Sequence, residues 1–102
     1  MSNKDDPMHH WIQLYAKKIQ PPDYVWTGTL QNFHDLFDKI VTWSNEKKQI
    51  PSMKEDADEY ILLFTFLKSK LQNETIIMDS DFLKVVVISL QKVWKHFLRS
   101  LW

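Results

Sequence analysis

The chain has no cysteine, one glycine and one arginine in 102 residues, and each scarcity excludes something. Without cysteine there are no disulfides, no thiolate zinc sites and no thiol chemistry. Sheet proteins need glycines in their turns and helical bundles need few, so a single glycine, Gly28, points away from β structure. All but one of the 13 basic residues are Lys, the exception being Arg99, so the planar fork that favours phosphate and base recognition is nearly absent. The 13 basic residues are balanced by 13 acidic ones, giving a formal net charge of zero. A nucleic-acid binder draws its affinity from a basic excess, so nucleic acid is disfavoured as a partner. No apolar run approaches the ~18 residues that span a bilayer. The first six residues are polar and contain no apolar signal region, and Ser2 stands where myristoylation requires Gly. The expected location is cytoplasmic or otherwise intracellular.

What the chain does have is apolar and aromatic bulk. Hydrophobic residues make up 44%, among them six Phe, five Trp and three Tyr. Each aromatic can bury roughly 150–250 Å². That is enough to build one core in a chain of single-domain length.

Periodicity, caps and charge divide the chain into four helices. The first is expected over about 7–19, with Asp6 as cap and Pro7 in the first turn. Its face carries Met8, Trp11, Ile12, Tyr15 and Ile19, and Pro21-Pro22 ends it. The second spans about 30–47, capped by Thr29 or Thr27, with Leu30, Phe33, Phe37, Ile40 and Val41 inward. The third spans about 53–72 and opens on Ser52 and Glu55, spaced as a capping box. Its stripe of Tyr60, Leu63, Phe64, Leu67 and Leu71 is widened by Ile61, Leu62 and Phe66, so it should be largely buried. The fourth spans about 81–101, capped by Asp79 or Ser80, with Leu83, Val86, Val87, Leu90, Trp94, Phe97 and Leu101 as its core face. Acidic residues gather toward the helix starts and Lys toward the ends, complementing the helix dipole. The fold class is therefore all-α, a compact four-helix bundle-like single domain, with up-down order expected.

No pattern of catalytic chemistry stands out. There is no nucleophile elbow and no phosphate loop. No two of His9, His10, His34 and His96 stand at i, i+3 or i, i+4, and Asp6, four residues before His10, has the simpler role of a cap; no convincing ligand set results, so no metal or cofactor is expected. The acidic cluster of Glu55, Asp56, Asp58 and Glu59 reads as a solvated first turn. Pro21-Pro22-Asp23-Tyr24 resembles the P-P-x-Y ligand motif of WW domains, or is a helix-stopping Pro pair before a loop. Lys84, Lys92, Lys95 and Arg99 share the back of the fourth helix and form a possible basic surface. Tyr24, Trp26 and Trp102 lie at the ends of elements, where a small domain can spare large side chains, and are the expected contact residues for a partner. The alternative is that both indoles fold back on the core.

His9-His10-Trp11-Ile12, Pro21 and Phe33-His34 with Leu36 resemble the start of the matrix domain of deltaretroviral Gag, also a small helical domain, over less than half of the chain. Ser2 departs from the myristoylated Gly of such domains. The reading that follows is a non-enzymatic protein–protein interaction domain: an adaptor, inhibitor or immunity-like regulator whose partner is another protein. The alternatives are a membrane-surface or viral structural module using the basic fourth helix, and a helix-turn-helix nucleic-acid binder.

Overall fold

Four helices carry the chain in a computed structural model that describes residues 7–19 and 25–101, with side chains as far as His96. They are α1 (Pro7–Ile19), α2 (Leu30–Lys47), α3 (Lys54–Ser69) and α4 (Ser80–Leu101), joined by short 3-10 turns at Pro51–Met53 and Glu74–Met78. The described residues contain no strand.

Local chemistry sets most of the boundaries. Thr29 is extended and its hydroxyl accepts from Asn32 N at 3.2 Å, capping α2. Gly28 just before it takes a φ of 73°, which a side chain tolerates poorly, and a Cβ there would run into the His9 ring. Asp79 caps α4, its carboxylate accepting from Asp81 N at 2.9 Å and Phe82 N at 3.1 Å. The start of α3 departs from expectation. Ser52 lies inside the 3-10 turn opened by Pro51, the cap residue is Met53, and no side chain bonds the free N–H groups. The Ser52–Glu55 capping box is therefore not made. At the other end, Lys70 N and Leu71 N bond back three residues, to Leu67 O and Lys68 O, which tightens and ends α3 before residue 72. The first turn of α2 holds no acidic residue, while those of α3 and α4 do; Asp5 and Asp6, expected at the start of α1, lie outside the described residues.

The helices do not run up and down in strict alternation. Gln91 Nε2 donates to Tyr15 Oη at 3.3 Å, and three residues further along both helices Lys18 Nζ lies 5.5 Å from the centre of the Trp94 ring. α1 is therefore parallel to α4. Phe33 meets Phe82 and Trp43 meets His96, so α2 is also parallel to α4. α3 opposes both: His34 of α2 bonds Leu71 O, Asp38 pairs with Lys68, and Tyr60 Oη donates to Lys92 O at 3.2 Å. The order is up, up, down, up. The ten residues between Ile19 and Leu30 join two helices that point the same way, which a tight turn cannot do.

One core draws on all four helices. Ile12 and Ala16 come from α1, Phe33, Leu36, Phe37 and Ile40 from α2, Tyr60, Phe64 and Leu67 from α3, and Leu83, Val86, Leu90 and Val93 from α4. Leu71 closes it below α3, and Ile76 and Ile77 of the second 3-10 turn pack against it. The expected stripe of α1 is partly turned outward, with Trp11 48% exposed. α3 is not largely buried: Leu62 is 74% and Phe66 54% exposed, because only one face of the helix meets the core. Phe97 and Leu101 of the expected α4 stripe have side chains outside the described residues.

Leu67 is 1% exposed, so Leu67→Ala is expected to cost about 2–5 kcal/mol in chemical denaturation. Ser52→Ala should stay within about 0.5 kcal/mol of the parent, since its hydroxyl caps nothing. A Ser52→Ala loss above about 1 kcal/mol would restore the capping box.

Candidate functional site: the face between helices three and four

Of the expected contact residues, Trp26 is reassigned. It is 5% exposed and meets Phe33 edge to face, ring centres 5.0 Å apart at 74°. The backbone on either side is held by one buried amide. Asn32 Nδ2 donates to Val25 O at 3.3 Å, and both the N–H and the hydroxyl of Thr27 donate to Asn32 Oδ1. Pinned at residues 25 and 27, the segment turns the indole inward, so Trp26 belongs to the core and is withdrawn from any contact surface. Its Nε1 is buried without a hydrogen-bond partner. Tyr24 and Trp102 lie outside the described residues, as does the Pro21–Tyr24 motif.

The basic residues of α4 are dispersed among apolar ones. Lys84, Lys92 and Lys95 are exposed, but Val85 and Ile88 lie between them, 46% and 55% exposed. Lys92 Nζ is 3.9 Å from Glu59 of α3. The surface is therefore mixed rather than a solvated basic back. The side chain of Arg99 lies outside the described residues.

The exposed apolar residues of the two helices meet along one line. At the N-terminal end of α3 the helices are cross-linked. Tyr60 reaches Lys92 O, and His96 Nδ1 is 3.1 Å from Asp56 Oδ2. The His96 ring stands edge-on to Trp43 and Tyr60 at 6.1 and 5.7 Å, so this end of α2 is tied in as well. Toward the other end the outer faces of α3 and α4 leave a groove of about 560 Å³, lined chiefly by Leu62, Phe66, Val85 and Ile88 and framed at one end by Glu59 and Lys92. Its floor is closed by Ser89, whose hydroxyl is spent on Val85 O at 2.7 Å. Lys70 Nζ sits 4.9 Å from the Phe66 ring centre.

This arrangement offers an apolar surface with ionic edges. Its sequence signal is the all-round apolarity of Ile61–Leu62–Leu63–Phe64 with Phe66: a helix apolar on every side is either wholly enclosed or has a second face to cover. The Asp56–His96 pair, 40 residues apart in the chain, leaves no local signal. Among the described residues no group of three or more His, Cys, Asp or Glu is placed to hold a metal ion, and no helix is long and apolar enough to cross a membrane.

Comparison with protein families, with curated proteins and with solved structures finds no match for the chain.

Burial of Trp26 has a direct consequence. Trp26→Ala should lower stability by about 3–5 kcal/mol. Trp26→Phe should cost much less, since it keeps a ring against Phe33 and removes an N–H that has no partner. A Trp26→Ala variant melting with the parent would return the indole to the surface.

Proposed function

We propose that the protein is a non-enzymatic helical interaction domain that binds another polypeptide chain through the face between α3 and α4. One observation carries the reading: Leu62, Phe66, Val85 and Ile88, all about half or more exposed, share one groove. Single exposed apolar residues are ordinary, whereas several contiguous ones rimmed by charge mark contact surfaces. An apolar strip between two antiparallel helices suits a polypeptide that presents apolar side chains at helical spacing. The acidic residues on the same face weigh against a membrane. Glu55, Asp58 and Glu59 are exposed beside Leu62 and would be brought against anionic lipid together with the lysines of α4.

The proposal places the binding surface apart from the core. Leu62→Glu and Ile88→Glu replace exposed residues by a good helix former, so the melting temperature should stay within a few degrees of the parent. Affinity capture with a tagged copy, in the cells that make the protein, should recover a polypeptide partner with the parent, whether another protein or an untagged copy of this chain, and lose it with either variant, each charge weakening the contact about tenfold or more. Capture unaltered by both substitutions would overturn the reading, and so would a parent that recovers no polypeptide but binds liposomes through Leu62 and Ile88.

A further inference from the structure

We infer that the polypeptide this face accepts is a second copy of the same chain. Two α3–α4 faces would pack about a two-fold axis that runs along the helices, each α3 laid on the other copy's α4. The inference rests on the interaction-domain reading and names its partner.

On α3 the exposed residues Glu55, Glu59, Leu62 and Phe66 follow one another at steps of four, three and four. On α4 Val85, Ile88, Lys92 and Lys95, also exposed, follow at three, four and three. Alternating steps of three and four keep residues on one line of a helix and form the seam along which helices pack. Each helix thus shows one face to the core and a second, independent seam to the outside.

The order of residue types along the two seams is complementary. α3 and α4 are antiparallel, with Glu59 beside Lys92 at 3.9 Å. The acidic half of the α3 seam therefore lies level with the basic half of the α4 seam, and the two apolar halves lie level at the other end. A two-fold axis along the helices exchanges α3 with α4 at constant height. It sets Glu55 and Glu59 of one copy on Lys95 and Lys92 of the other, and Leu62 and Phe66 on Ile88 and Val85. Such an isologous contact is self-complementary throughout. A two-fold axis across the helices would instead set Glu59 on the Phe66 end of the other copy's seam, taking carboxylates out of water without a partner. A net charge of zero leaves no long-range repulsion between copies. The seam spans about 11 residues of each helix, roughly 17 Å by two helix widths. This is smaller than a standard specific interface, so association should be weak, reversible and concentration-dependent.

Sedimentation equilibrium of the full chain tests this directly. The mass should rise from the 12.3 kDa monomer toward twice that value over about three decades of concentration, up to ~1 mM. Ile88→Glu should remain monomeric at every concentration where the parent is dimeric, with its helical circular-dichroism signal unchanged. The orientation is tested by charge reversal. Glu55→Lys with Glu59→Lys makes the charged halves of both seams basic, and Lys92→Glu with Lys95→Glu makes both acidic. Each double variant alone should be monomeric, and an equimolar mixture should form a heterodimer, because each seam then meets its opposite charge. A parent that stays monomeric at ~1 mM overturns the inference, and so does a dimer indifferent to Ile88→Glu or a mixture of the charge variants that does not associate. A monomeric parent whose capture of other proteins still depends on Leu62 and Ile88 would overturn self-association alone and leave the interaction-domain reading standing.

Discussion

Phe33 sits where three other rings converge. It meets Trp26 at 5.0 Å, Phe37 at 5.9 Å and Phe82 at 6.3 Å, and Phe37 passes the contact on to Phe64 at 5.5 Å. One side chain of α2 thereby gathers the incoming segment, α4 and, through its neighbour, α3. Offset and edge-on ring pairs add about 0.5–1.5 kcal/mol each beyond the area they bury, so this line of rings is both the centre of the core and its directional element. α1 stands apart from it. It is held on α4 by Ile12 and Ala16 in the core and by Tyr15 and Lys18 at the edge. The molecule is thus built from two helix pairs, α2 with α3 and α4 with α1. The seam between α3 and α4 is secondary, fastened at the Tyr60–His96 end and open beyond it.

The helix boundaries most legible in the sequence are those with chemistry at the cap. Thr29 and Asp79 stand where the helical stripe begins, and each accepts from backbone N–H groups. Ser52 carries the same signal and fails, because Pro51 opens a 3-10 turn that contains it. A pattern of residue types cannot tell an extended cap position from a turn position until the neighbouring φ values are known. Helix direction was legible only in part. The long first connection is visible as a length, but length permits either a turn or a return. The choice lies in pairs such as Tyr15–Gln91, whose members are 76 residues apart.

Trp26 illustrates how a candidate contact residue is lost to the core. Its position in a loop beside Pro21-Pro22 and its size both suggest a surface anchor. What turns it inward is Asn32, which lies in the first turn of α2, is 8% exposed, and holds the backbone at Val25 and Thr27. A buried amide that satisfies three backbone and side-chain groups fixes the approach of the segment in the orientation that lets the indole enter the core. The groove was hidden for the opposite reason. Leu62 and Phe66 belong to an apolar run, and apolar runs read as core. Only the placement of α2 and α4 against the Phe64–Leu67 line shows that these two side chains fall on the far side.

That division of α3 separates the residues that carry the folding energy from those that do not. Phe64 and Leu67 are buried at 0% and 1%, while Leu62 and Phe66, a few residues away on the same helix, are 74% and 54% exposed. Substitution on the inner line removes packed volume at several kcal/mol, and substitution on the outer line removes almost none. α4 is divided in the same way between Val86 and Leu90 inside and Val85 and Ile88 outside. A helix that only had to fold could carry polar residues on its outer line, which would favour solubility at no cost to the core. Retaining four large apolar side chains there, on two adjacent helices and in register with one another, is the feature that the core does not account for. It gives the outer face its own set of residues, whose chemistry can change without the fold.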